Sequence, residues 1–232
     1  MEAADVREDI EHLFAPTMGL GLNEAALEAL RDCKHKLYGV RFHVDSLNKE
    51  IADQESKIRA APPPPAGAGW TASNPRIVYH FEALVFQTKS TLDMLVGALK
   101  LAYPSLRNMS GFNHSGEADQ RKVGGKTIRA IRGDSQRLSD EFEAARQSWI
   151  QYAVDLRDRV AHKSRLRNLT SFIQEAHEGG GQVTIRYPTI PSGMRVDEYG
   201  EAIYAKLTEL LQTVLRESRG RFQAQCGVSP AT

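Results

Sequence analysis

Cysteine is scarce in this chain: its two residues, Cys33 and Cys226, lie far apart and belong to no Cys-x-x-Cys pair. That pattern excludes a disulfide framework and a cysteine-based zinc site, and it fits a reducing compartment. Long apolar runs are also missing, since none reaches the roughly 18 residues a membrane-spanning helix needs. The opening residues Met1 to Asp5 lack the basic start and apolar stretch of a secretory leader. A soluble, cytoplasmic protein is therefore expected, with no membrane partner. Excess charge of one sign is absent as well: 30 basic against 29 acidic residues leave a net charge of +1. Any polyanion would have to be met by a local basic cluster, because the protein carries no strong overall field.

Two apparent motifs fail on inspection. Gly125-Lys126-Thr127 resembles the end of a phosphate-binding loop, but the position that needs the leading glycine is Gln120 and no strand precedes it. A nucleoside triphosphatase is excluded on that ground. His80, His114 and His177 stand singly, without companions at ligand spacing, so each reads as structural or exposed, and no metal or cofactor is expected.

What is present is helical patterning. Leu30, Leu37, Val44, Ile51 and Ile58 recur every seven residues, with Cys33, Val40 and Leu47 in the alternate seam. They predict one helix over about 24–60, some 55 Å long at ~1.5 Å per residue. Its far end either projects to pair with another chain or is closed by the protein itself as a helical hairpin. Pro62 to Pro65 stop it, and 62–74 reads as a Pro/Gly linker. Ser73 or Asn74 caps the next helix, Pro75 occupies its first turn, and the segment to about Tyr103 is apolar almost all round, which places it at the bundle centre.

Residues 104–138 read as a glycine-rich loop holding one short helix near 121–132. Asp140 with Glu143 looks like the capping pair of a helix that runs to 162–165. Residues 170–188 predict a small β-hairpin, with strands at 171–176 and 182–187 around Gly179-Gly180-Gly181. A last amphipathic helix begins at Asp197, buries Ile203, Leu207, Leu210, Leu211 and Val214, and leaves 226–232 as a tail. The division is an N-terminal segment with the long helix (1–61), the linker (62–74), a core (75–225) and the tail (226–232). The fold class is mainly α: a helical bundle with a small β-hairpin before its C-terminal helix.

The helix over 140–165 carries the chemistry. On an ideal helical wheel Phe142, Ala145, Trp149, Leu156 and Val160 form a core stripe, while Ile150, Val154 and Ala161 form a second, from which Arg157 projects. Arg157 and His162 are five apart and diverge by about 140° on one helix. If two copies met across the second stripe, both residues of both chains would share one cleft, so a homodimer with Ile150, Val154 and Ala161 at its interface is expected. Asp158, four residues before His162, is placed to orient the ring or favour its protonated form. Arg159, Lys163, Arg165 and Arg167, with Arg157, put five cations into eleven positions and suit an RNA backbone.

The run Arg157-Asp158-Arg159-Val160-Ala161-His162, an R-x4-H pattern at the end of a long helix, resembles the signature of the HEPN superfamily. The segment Phe81 to Asp93, apolar with a late Leu-Asp, is similar to the second core helix of such proteins. The resemblance implies an HEPN-like helical bundle, a metal-independent endoribonuclease of the toxin or antiviral-defence kind, a composite site at a dimer interface, and an antitoxin or inhibitor protein as partner. Members regulated by nucleotidylation carry a tyrosine two residues after the motif histidine, where this chain has Ser164.

The expected mechanism is attack of an RNA 2′-hydroxyl on the neighbouring phosphorus. His162 acts as acid or base, and Arg157 stabilises the phosphoryl charge. Glu82 and Asp93 are candidate supports for the motif. The competing expectation is a non-catalytic helical module that binds RNA or a protein.

Overall fold

Asn23 opens the longest helix by accepting a hydrogen bond from the Ala26 N–H at 2.9 Å, with Glu24 favourably placed in the first turn and Lys57 and Arg59 in the last. The computed structural model describes residues 3–112, 123–162, 169, 171–176 and 183–225, with nothing said of the side chains at 3–7, 161, 162 and 225. Within these, α1 spans Ala3–Met18, α2 Glu24–Ala60, α3 Pro75–Leu99, α4 Gly125–Arg132, α5 Gln136–Ala145, α6 Gln151–His162 and α7 Val196–Gln225. The strands are β1 (Gly69–Ser73), β2 (Ser171–Ala176) and β3 (Val183–Arg186). The chain is thus mainly helical with one small antiparallel sheet.

The seven-residue seam of α2 is buried along its length, from Leu30 at 0% exposure to Ile58 at 7%. Its partners are α3, α7 and α1 of the same chain, so the helix is closed by its own protein and does not project. α2 and α3 run antiparallel, because Asn74 bonds Glu50 near one end while His80 meets His43 a few turns along. Burying such a seam contributes roughly 1.5–3 kcal/mol for each large aliphatic side chain, which dominates the helix's modest intrinsic propensity.

The Pro/Gly linker is more ordered than its composition suggests. After the prolines, Gly69–Ser73 pairs antiparallel with β2 in the register Gly69↔Glu175 to Ser73↔Ser171, and β2 pairs with β3 from Ile173↔Arg186 to Ala176↔Val183. The two strands of the expected hairpin are therefore the central and one edge strand of a three-stranded sheet in the order β1-β2-β3. The connector from α2 to α3 is pinned by strand hydrogen bonds and does not swing as a free tether. Asn74 caps α3, accepting from the Arg76 N–H at 3.1 Å, with Pro75 in the first turn as its missing N–H allows.

Two helix starts differ from expectation. The helix leading to the motif begins at Gln136, where Ser135 accepts from the Leu138 N–H at 3.3 Å. Asp140 and Glu143 lie inside it and bond Gln136 and Gln147 respectively. The last helix begins one residue early, at Val196, with Asp197 in its first turn.

Candidate functional site

α5 and α6 form one continuous rod interrupted by a wide turn at Arg146–Ile150, in which the Gln151 N–H donates to the Arg146 carbonyl five residues back. That turn holds one residue more than an α-helical turn and so rotates everything after it by about 100°. The line of core positions that reaches Phe142 and Trp149 passes afterwards through Ile150 and Val154 to Arg157. Trp149, Ile150, Ala153, Val154 and Leu156 are all buried.

This corrects the expected dimer interface. Ile150, at 0% exposure, and Val154, at 2%, are covered inside a single chain, with α3 packed on α6. The second stripe has its partner already. Ala161 lies in the helix, and nothing is said of its side chain.

Arg157 continues the inward line at the edge of the core. Its guanidinium sits 5.7 Å from the Phe86 ring centre and 2.8 Å from the Asp158 carboxylate, with a quarter of the side chain exposed. Its Nε is buried and finds no hydrogen-bond partner among the described residues. One face of the guanidinium is spent on an aromatic ring and one Nη on a carboxylate, which leaves the buried Nε–H unpaired and further Nη–H donors on the quarter-exposed group. A phosphate oxygen is the kind of acceptor that the exposed part of such a guanidinium suits.

Asp158 turns its carboxylate to Arg157. His162 closes α6, but its side chain is outside the described structure, as are Lys163, Arg165 and Arg167 altogether. Arg159 is exposed. Of the predicted constellation, the structure therefore brings Arg157 and Asp158 together.

The two candidate supports do different work from that expected. Asp93 accepts from the Phe112 N–H at 2.8 Å and from the Lys89 ammonium at 2.5 Å, so it clamps the segment after Pro104–Leu106 and makes no ion pair with Arg157. The approach is close: a Cβ on Gly111 would fall 2.5 Å from the Asp93 carboxylate. Glu82 is half-buried on α3 and makes no ion pair among the described residues.

Sequence reasoning missed the ring beneath Arg157 and the surface around it. α3 was expected at the bundle centre, yet Tyr79 is 66% and Phe86 41% exposed, and Phe42 on α2 is 60% exposed. The seven-residue spacing of Tyr79 and Phe86, opposite the buried Ile77, Phe81, Leu84 and Thr88, was the available signal for an outward aromatic stripe. Beside it His43 and His80 meet Nδ1 to Nδ1 at 3.2 Å, where His80 had been read as solitary.

Arg41 on α2 was also unforeseen. It bonds Glu201 on α7 at 2.9 Å and Asp45 on its own helix, and lies over the Tyr204 ring at 5.1 Å. The two carboxylates hold its guanidinium charged, raising its pKa against the opposing cost of burial. A cleft of about 560 Å³ between α1 and α7, lined by Asp9, His12, Tyr204 and Arg216 among others, includes neither Arg157 nor Asp158. No family model, curated protein or solved structure matches the chain.

Proposed function

We propose that this chain is a metal-independent endoribonuclease of the HEPN type, with a toxin or antiviral-defence role in the cytoplasm and under the control of an inhibitor protein. The observation that supports the reading is the state of Arg157. It is a guanidinium held against a ring and a carboxylate, part exposed, with a spare buried donor, five residues before the histidine that ends its helix.

In the proposed reaction the substrate's 2′-hydroxyl loses its proton and its oxygen attacks the adjacent phosphorus. The 5′-oxygen leaves with a proton, giving a 2′,3′-cyclic phosphate and a free 5′-hydroxyl. His162 exchanges these protons and Arg157 stabilises the charge on the non-bridging oxygens. Arg159, Lys163, Arg165 and Arg167 hold the flanking backbone through salt-sensitive contacts. A homodimer remains part of the proposal, with its contact moved to the outward face of α3 around Tyr79 and Phe86, since Ile150 and Val154 are internal.

The test is cleavage of end-labelled RNA in the presence of a chelator. The expected products end in cyclic phosphate, and DNA of the same sequence stays intact. Arg157→Ala lowers the rate about 10²–10³-fold, the usual cost of removing one transition-state donor. His162→Ala abolishes cleavage while circular dichroism shows the fold unchanged. Cleavage retained by a folded His162→Ala protein would remove that residue from the mechanism.

A second reading, a non-catalytic module that binds RNA or a protein, draws support from the exposed rings of Phe42, Tyr79 and Phe86. It predicts binding without cleavage, weakened by Phe42→Ser or Tyr79→Ser.

A further inference from the structure

α2 and α3 approach each other through two imidazoles. The Nδ1 atoms of His43 and His80 are 3.2 Å apart, with ring centres at 5.5 Å and planes inclined by 44°. Between two neutral rings this is a single hydrogen bond, in which one Nδ1–H donates to the other lone pair. The same separation has a second meaning. A transition-metal ion bound to two imidazole nitrogens at about 2.0–2.1 Å holds them about 2.9 Å apart at a right angle and about 3.3 Å apart at the tetrahedral angle. The observed spacing lies between those limits, so both rings can turn lone pairs to one ion with little movement of either helix.

We propose that His43 and His80 form a bidentate site for a divalent transition ion of the imidazole-preferring kind, Cu²⁺, Ni²⁺ or Zn²⁺. Among the described residues no group of three or more His, Cys, Asp or Glu side chains surrounds a common point, so the protein supplies two donors and water or an external ligand fills the rest. An ion with only two protein ligands binds moderately, and the order of affinity follows the intrinsic series, with Cu²⁺ ahead of Ni²⁺ and Zn²⁺.

Three features suit the pair to this use. The donors come from two long helices packed along their lengths, so the spacing is fixed before the ion arrives. Burial and the neighbouring His80 both push the His43 pKa down, which keeps that ring in the neutral form a metal requires. The Phe42 ring stands edge-on to both imidazoles, at 5.1 Å from His43 and 6.4 Å from His80, and partly screens them from water.

The bound ion would cross-link α2 to α3 on the outward face. His80 and Phe86 are six residues apart on α3, about 9 Å along the axis and about 120° round it, so the ion would sit on a different face of α3 from the ring that carries Arg157. The site makes no use of the nuclease chemistry and stands or falls separately from it.

The experiment uses the full chain, free of any affinity tag and stripped with a chelator, titrated with CuCl₂ and then ZnCl₂ by calorimetry. One ion per chain is expected, with the Cu²⁺-loaded protein showing two nitrogen couplings in its electron paramagnetic resonance spectrum. His43→Gln and His80→Gln should each weaken binding by about tenfold or more, the loss expected when a chelating pair is cut to one donor. His12→Gln and His35→Gln should leave it unchanged. Wild-type affinity in either the His43→Gln or the His80→Gln variant, a single nitrogen coupling, or no binding up to millimolar ion would overturn the assignment. Should either glutamine variant fail to fold, Cu²⁺-induced broadening of the two imidazole signals in the wild-type nuclear magnetic resonance spectrum decides instead: they broaden first if they are the ligands, and together with the other histidines if they are not.

Discussion

Replacing Gly124 with alanine should be among the more damaging single changes in this protein. Gly124 has φ +69° at the start of α4, and a Cβ built there would lie 2.0 Å from Cε1 and 2.2 Å from Cζ of Phe112. The ring has little room to retreat, since Phe112 is fully buried, packs on Phe142 at 5.5 Å, and has its own N–H held by Asp93. Left-handed backbone costs an alanine about 1–2 kcal/mol, and forcing a methyl group into a filled core costs about 1–3 kcal/mol. The less flexible unfolded chain offsets roughly 0.4–1 kcal/mol of this.

The net loss is about 1–4.5 kcal/mol, which at a urea slope near 2 kcal/mol/M moves the midpoint down by about 0.5–2 M. The assay is urea unfolding followed by circular dichroism, with Phe112→Leu and the double variant completing a cycle. The double variant should be less damaged than the sum of the singles, because the shorter side chain relieves the clash and leaves only the backbone cost. A Gly124→Ala midpoint within 0.2 M of wild type would refute the packing described for this segment.

Arg41→Met should lower stability by about 1–2 kcal/mol in the same assay, less than a fully buried pair would cost because Glu201 and Asp45 are about half exposed and rehydrate. Asp93→Ala leaves the Phe112 N–H and the Lys89 ammonium without their acceptor, costing about 1–3 kcal/mol and accelerating hydrogen exchange at the Phe112 amide. Burial first, and then the neighbouring His80, hold the His43 pKa below its unfolded value of about 6.5. Its contribution is intact above that pH and is lost as the pH falls through the folded pKa, because only the unfolded chain takes up the proton in between. Urea midpoints measured from pH 7.5 to 5 should therefore fall more in wild type than in His43→Gln, and parallel curves would count against the depressed pKa.

Much of the fold was legible because its signals are local and periodic. The seam from Leu30 to Ile58, the cap at Asn74 with Pro75, and the helix that buries Ile203, Leu207 and Val214 depend on spacing alone. What escaped depends on contacts distant in the chain. β1 carries no alternating apolar pattern, and the Gly69–Ser73 segment is a strand only because β2, about a hundred residues later, offers it hydrogen bonds. Ser135 was passed over as a cap because the carboxylate pattern at Asp140 and Glu143 mimics one.

The candidate site divides the same way. Arg157 and Asp158 could be named from a short motif, and the structure places them together. Phe86 beneath the guanidinium, and the meeting of His43 with His80, depend on which faces of α2, α3 and α6 are apposed. A wheel drawn at a constant angle misassigned Ile150 and Val154 as a free surface, because it could not anticipate the wide turn.

That turn makes the aim of Arg157 a matter of counting. Straightening it into an ordinary α-helix with every residue kept would swing the guanidinium about 100° off the Phe86 ring, whereas deleting a single residue between Arg146 and Ile150 would remove the turn and leave the aim of Arg157 as it is. Sequences carrying the same R-x4-H letters, and the same number of residues after Phe142, on an unbroken helix would present their arginine to a different neighbour.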